Sequence, residues 1–403
     1  MQKLKNTWYR TFQFGLNIGS RFLYWRKPVI VSGSGSRREI AGIFAGEKVK
    51  KVMVVTGRHV GVSIAPEIMD SLKNSGIECV HYSKVEANPT TSIVYEIEKL
   101  YLETGCDGFL AIGGGSPLDA AKAAAARVVK PNKSLAKMAG LFKVLRRLPL
   151  FVAVPTTAGT GSETTIAAVI TDSDTHHKYA IMDLCLVPRY AVLDAELTRA
   201  LPAKTTATTG MDALTHAVEA YICWTNRTRE VDRLAEEATV AIFKYLERAY
   251  ADGNDMEARE QMLLASFKAG FAFTRAGVGN VHAIAHTLGG IYGTPHGLAN
   301  AVILPTVLED YGAKIYPRLA KLSEIMGLCT EGSEEDKARA FIEEIKAMNE
   351  RMGIPTGFDN IRDEDIPQMV EWALAEANPT YPVPVLYSPA HCEKVIKEIR
   401  ARA

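Results

Sequence analysis

Three short segments with no polar residue constrain the fold most. Val52-Met53-Val54-Val55, Phe109-Leu110-Ala111-Ile112 and Phe151-Val152-Ala153-Val154 are continuous in apolarity, and each is followed at once by Thr, Gly or Pro. A strand that is apolar on both faces must be covered on both, which is the situation in a parallel sheet flanked by helices. Apolar residues at helical spacing over 64–75 and 92–104 can supply that cover. Beyond Leu201-Pro202 the strand signals stop, and 205–221, 229–251, 256–275 and 334–352 carry amphipathic helical patterns instead. The expected organisation is an N-terminal extension over 1–27, an open parallel-sheet α/β domain of nucleotide-binding type over 28–204, and an all-helical domain over 205–403.

Composition removes several function classes. With 403 residues, 47% of them hydrophobic, the chain buries a sizeable core. A formal net charge of +1 gives no electrostatic footprint for nucleic acid, so the expected partner is a small molecule. Six cysteines without a C-x-x-C pair read as reduced thiols of a cytoplasmic protein. The extension is basic and aromatic (Lys3, Lys5, Trp8, Arg10, Phe12, Phe14, Arg21, Phe22, Trp25, Arg26). It has neither a secretory apolar core nor the roughly 20-residue apolar span of a membrane helix. Packing on the domain or on a partner subunit is expected, as is a homodimer or higher homo-oligomer.

Gly113-Gly114-Gly115-Ser116 follows one of the strands directly and opens a helix-forming run, Pro117-Leu118-Asp119-Ala120-Ala121-Lys122. Glycines at a helix N-terminus let backbone N–H groups approach a phosphate, which the helix dipole also favours. The segment is not a G-x-G-x-x-G, so alone it indicates phosphate rather than dinucleotide. Another strand runs into Pro155-Thr156-Thr157-Ala158-Gly159-Thr160-Gly161-Ser162, a loop of small hydroxyls suited to a cofactor's sugars or amide.

Asp212 and His216 lie four apart in a helical pattern and share a face. Such a pair also makes an ordinary helix-surface hydrogen bond, so it needs support. That support is His282, His286 and His296, three histidines within fifteen residues among small apolar neighbours, where an unpartnered imidazole loses hydration without return. Aspartate and histidine without thiolate suit Fe²⁺, Zn²⁺, Mn²⁺ or Co²⁺. With five candidates present, one is available for chemistry rather than ligation.

Taken together with Asn88-Pro89-Thr90, these motifs resemble the iron-containing, group III alcohol dehydrogenases, which share their fold with glycerol dehydrogenase and dehydroquinate synthase. The resemblance runs from about residue 28 to the C-terminal region. It implies that Asp212, His216, His282 and His296 are the metal ligands and that His286 relays a proton beside them. It places Gly113, Gly114, Gly115 and Ser116 at the pyrophosphate, with Asn88, Asp119, Thr156, Thr157, Thr160, Ser162 and Lys178 lining the cofactor cleft. Many members of the family carry an aspartate after a Val-Thr pair, where its carboxylate repels a 2′-phosphate; this chain has Gly57, followed by Arg58. NADP(H) is therefore the expected cofactor, with NAD(H) as fallback.

Two departures stand out: the extension has no counterpart in shorter members, and Asn378-Pro379-Thr380-Tyr381 lacks an arginine often found after Asn-Pro. The implied activity is a metal-dependent, NAD(P)-linked alcohol dehydrogenase or aldehyde reductase on small alcohols and their carbonyls. The alternatives on the same fold are a dehydroquinate-synthase-like lyase, a glycerol-dehydrogenase-like polyol oxidoreductase and a non-catalytic assembly protein. The lyase would need a phosphate-gripping basic cluster, which is not evident. Because all the motifs lie beyond it, the extension is expected to be dispensable for chemistry.

Overall fold

The computed structural model describes residues 2–175 and 178–400. The chain forms two compact units, one of residues 24–201 and 253–270, the other of residues 1–23, 202–252 and 271–403.

The first unit is built on a six-stranded, wholly parallel sheet. Its strands run, side by side, in the order Val29–Ser32, Tyr190–Leu193, Leu150–Pro155, Gly108–Gly113, Lys51–Gly57, Glu78–Val85. Within the three central strands successive side chains separate onto two cores, as a period of two requires. Met53, Val55, Phe109, Ala111, Phe151 and Ala153 enter one core, while Val52, Val54, Leu110, Ile112, Val152 and Val154 enter the other. The register keeps like with like, pairing Val54 with Leu110 and Leu110 with Val152. Helices cover the sheet as the apolar spacing indicated: Ala65–Asn74 and Thr91–Thr104 match the two expected segments, and Gly115–Val129 follows the triple glycine. A second, three-stranded sheet of Gly140–Leu141, Lys178–Met182 and Ala167–Thr171 carries no strong sequence signal.

Chain order runs outward from Lys51–Gly57 to Glu78–Val85, then jumps back to Gly108–Gly113 and proceeds the opposite way. The reversal point therefore lies between Lys51–Gly57 and Gly108–Gly113. Ligands of open α/β sheets bind beyond the carboxyl ends of strands at such a point.

The second unit is helical, as the loss of strand signals predicts. Its helices are Ala203–Ile222, Arg229–Ala251, Asn280–Tyr292, His296–Tyr311, Tyr316–Met326, Glu334–Arg351, Ile366–Ala377 and Pro389–Glu398. The extension forms another, Gln2–Ser20, docked by its polar side. Arg10 donates to the carbonyls of Val383 (2.7 Å) and Pro384 (3.0 Å), buried Gln13 donates to that of Tyr381 (2.7 Å), and Asn17 donates to Asn226 Oδ1 (3.0 Å). Among the described residues no helix is long and apolar enough to cross a membrane.

Candidate active site

In the helical unit, Ala203–Ile222 is the element on which the site is built. Asp212 and His216 occupy consecutive turns of it and are buried. Two close packings hold neighbouring helices against this one. A Cβ on Gly210 would stand 2.2 Å from Leu246 Cδ1, and one on Gly297 would stand 2.4 Å from the Thr208 carbonyl oxygen. The glycine after His296 thus lets the start of His296–Tyr311 approach Asp212. Pro295 caps that helix, and His296 and Gly297 are its first two residues.

His282 and His286 come from Asn280–Tyr292, one turn apart. One ligand atom from each of Asp212, His216, His282 and His296 lies within 4.8 Å of all the others. His296 Nε2 is 3.5 Å, and His282 Nε2 4.0 Å, from Asp212 Oδ1. The His216 ring stacks between Phe273 and His282, with centroids at 4.1 and 4.6 Å, which fixes its plane. Burial, and then the neighbouring histidines, hold His282 well below its usual pKa, so its ring is neutral and keeps a lone pair for a cation.

The buried Asn300 amide faces the same point. Its Nδ2 donates to Asp212 Oδ1 (2.6 Å) and lies 3.1 and 3.2 Å from Nε2 of His282 and His296. Its Oδ1 finds no partner among the described residues. One buried amide facing three ligand atoms is a poor reason to bury an aspartate and two imidazoles and half-bury a third, since each unsatisfied buried group costs roughly 1–3 kcal/mol. A divalent cation satisfies all four, and the oxygen and nitrogen donor set fits one of the Fe²⁺, Zn²⁺ or Mn²⁺ class.

Around the four stands a shell that sequence reasoning did not identify. Glu219, also on Ala203–Ile222, accepts from the backbone N–H of Gly279 and Val281 and lies 2.6 Å from His282 Nδ1; burial raises its carboxyl pKa, and the N–H groups around it oppose that rise. His286 Nδ1 lies 2.6 Å from Glu376 Oε1, which also accepts from the Tyr381 hydroxyl at 2.6 Å. The His286 ring stacks on His296 with centroids 5.0 Å apart, yet it is not one of the four convergent groups.

In the sheet unit, the loops after Lys51–Gly57, Gly108–Gly113 and Leu150–Pro155 leave the carboxyl ends of three adjacent strands. The triple glycine folds as expected, with Gly114 capping the helix Gly115–Val129. A Cβ on Gly115 would meet Thr160 Cγ2 at 2.9 Å and one on Gly114 would meet Thr157 Oγ1 at 3.2 Å, so these glycines also admit the hydroxyl loop. That loop is tied down by fully buried Lys122, whose Nζ donates to the carbonyls of Ser162, Thr165 and Ala167; burial pushes its pKa down to about 8. Ser162 donates to Asp119 Oδ1 (2.6 Å), and Val169 N–H donates to Asp119 Oδ2 (3.0 Å). Asp119 and Ser162 thus serve each other here. Thr156 N–H donates to the Gly113 carbonyl, and Lys178, ninety residues away in sequence, donates to Asn88 Oδ1 (2.7 Å). Arg58 reaches Glu86 at 3.3 Å, with both side chains largely exposed.

Comparison with known proteins points to one family. A family model described as "Iron-containing alcohol dehydrogenase" matches residues 28–195, and one described as "Fe-containing alcohol dehydrogenase family, C-terminal" matches residues 206–399. The chain is 34% identical over 353 residues to the NAD-dependent methanol dehydrogenase of Bacillus methanolicus, covering 87% of this chain and 92% of that protein. It is 38% identical over 333 residues to the NADPH-dependent butanol dehydrogenase of Clostridium saccharobutylicum, covering 81% and 83%. Among solved structures, a 1,3-propanediol oxidoreductase superposes with a TM-score of 0.89 at 33% identity, covering 94% of this chain and 100% of that one.

Proposed function

Because the chain belongs to the iron-containing alcohol dehydrogenase family, we propose that it interconverts small alcohols and their aldehydes or ketones, with Asp212, His216, His282 and His296 holding a divalent cation and NADP(H) as the favoured cofactor. The observation that carries this reading is the convergence of those four side chains on one buried point. A cation held by these residues would supply Lewis acidity toward a substrate oxygen, and a nicotinamide would supply the hydride chemistry.

The protein's own groups do the rest. Asp212, His216 and His282 are buried, and burial keeps His282 neutral. With its Nδ1–H given to Glu376, His286 presents Nε2 as a base that takes the alcohol proton in oxidation and returns it in reduction. Gly113, Gly114, Gly115 and Ser116 offer helix-terminal N–H groups to a pyrophosphate. Asn88, Asp119, Thr156, Thr157, Thr160, Ser162 and Lys178 line or brace the neighbouring loops.

The test is the absorbance of the reduced nicotinamide when metal-loaded protein meets a panel of short alcohols, diols and aldehydes. Stoichiometric change with a simple alcohol or aldehyde supports the dehydrogenase. Consumption of a sugar phosphate with no net change in the nicotinamide supports the lyase instead.

Cofactor choice rests on Gly57, where the backbone is ordinarily extended (φ −78°, ψ 166°) and a Cβ would sit 3.1 Å from the Val85 carbonyl oxygen. Aspartate therefore fits after a shift of a few tenths of an ångström. Near a protein surface, two like charges at about 4 Å repel by roughly 4 kcal/mol at an effective dielectric of about 20. Gly57→Asp is expected to lower the NADPH-over-NADH ratio of kcat/KM by about tenfold or more. A parent that prefers NADH, or an unmoved ratio, would overturn the assignment.

The contacts of the extension change what its removal should do. Gln13 and Arg10 hold the backbone at Tyr381, Val383 and Pro384, and the Tyr381 hydroxyl shares Glu376 with His286. Deleting residues 1–21 is expected to leave metal content intact but lower kcat by up to about 10²-fold, the cost of a misplacement of about 1 Å. Unchanged kcat in the truncated, metal-loaded protein would show that the extension is dispensable after all.

A further inference from the structure

Glu219 is only 3% exposed, and burying a carboxylate costs several kcal/mol unless its oxygens are engaged. What engages them here is the beginning of the next helix. Oε2 accepts the Gly279 N–H (2.8 Å) and lies 2.6 Å from His282 Nδ1, while Oε1 accepts the Val281 N–H (2.9 Å). Asn280–Tyr292 has no side-chain cap of its own at Gly279, so a residue of another helix caps it.

The placement follows from one helix face. Asp212, His216 and Glu219 fall at i, i+4 and i+7 of Ala203–Ile222. The first two point at the convergent centre, and the third reaches one position further, to the far nitrogen of a ring contributed by a different helix. Gly279 keeps the approach open, since a Cβ there would stand 2.6 Å from Glu219 Oε1.

A neutral imidazole carries its proton on one nitrogen and its lone pair on the other, and the partner of the first decides which is which. We propose that Glu219 is the positioning residue of the centre: by accepting the Nδ1–H of His282 it fixes the tautomer in which the Nε2 lone pair is directed at Asp212, His216 and His296. The inference rests on the reading of those four residues as metal ligands. Carboxylate partners of this kind typically change metal affinity by about 10- to 100-fold.

Glutamine is not a conservative replacement at this place. Three N–H groups face the two carboxylate oxygens, and an amide offers one acceptor end and one donor end. Glu219→Gln must set its NH₂ against the Val281 N–H, or else against the Gly279 N–H and Nδ1 together, which drives His282 into the opposite tautomer.

The experiment measures Zn²⁺ affinity by competition with a chromophoric chelator, and the His282 tautomer by ¹⁵N NMR of the metal-stripped full-length protein. The parent is expected to bind Zn²⁺ and to show the Nδ1–H form. Glu219→Gln is expected to bind about 10- to 100-fold more weakly, with the Nδ1–H signature lost. If that variant does not fold, Gly279→Ala, which pushes on the same carboxylate, is expected to weaken Zn²⁺ in the same direction. Equal affinity in the folded variant and the parent, or an Nε2–H ring in the parent, overturns the proposal. A parent that binds no Zn²⁺ overturns the ligand assignment as well, which separates the two failures.

Discussion

Replacing His216 or His282 by alanine is expected to cost the protein its metal. Each is a buried donor among the four around a single point, and alanine leaves a three-donor site with a gap that water fills. Structural zinc sites bind with apparent free energies of about 10–16 kcal/mol, so one ligand in four carries roughly 2.5–4 kcal/mol, or about 10²- to 10³-fold in affinity. The His282 variant also leaves Glu219 without the ring it engages. Metal analysis after purification and dialysis decides the matter. A His282→Ala protein with a full complement of metal would remove that residue from the ligand set.

His286→Ala should behave in the opposite way, keeping its metal and losing rate. The ring lies among the ligands, 5.0 Å from His296 and 6.1 Å from His282 between centroids, but its Nδ1 is taken by Glu376 and it stands outside the four convergent donors. Removing a positioned acid or base typically costs about 10²- to 10⁴-fold in turnover. The loss is expected in kcat, with metal content unchanged. Loss of metal in this variant would place His286 among the ligands, and unchanged kcat would remove it from the proton path.

The two roles were legible in the sequence to different depths. Asp212 and His216 stand out because four residues is one helical turn, and His282, His286 and His296 because three imidazoles in an apolar stretch demand partners. Glu219 lies in the same helical segment, three residues past His216, yet nothing local says that its partners are the start of a helix sixty residues on. Glu376, Tyr381 and Asn300 are invisible for the same reason. Each acquires its meaning from a tertiary contact rather than from a pattern.

The sheet divides similarly. Its three central strands announce themselves because they are covered on both faces. Val29–Ser32 has an apolar run of only three residues, and Glu78–Val85 mixes Glu, His, Ser and Lys among its apolar residues, so neither carries the four-residue apolar run of the central strands. In the cofactor region, the triple glycine and the hydroxyl loop were readable as local turn chemistry. The pairing of Asn88 with Lys178, and the engagement of Asp119 by Ser162, were not, because sheet topology brings those segments together.

The central question is whether the four convergent side chains hold a metal that hydride chemistry requires. The most direct measurement strips the full-length protein of metal with a chelator, confirms that it remains folded, and follows reduced nicotinamide with a short aldehyde before and after anaerobic reloading with Fe²⁺ or Zn²⁺. The expected result is negligible turnover in the stripped protein, recovered in proportion to metal bound up to one ion per chain. Turnover that is indifferent to stripping, or absent after reloading to one ion per chain with every cofactor and aldehyde tried, would contradict it.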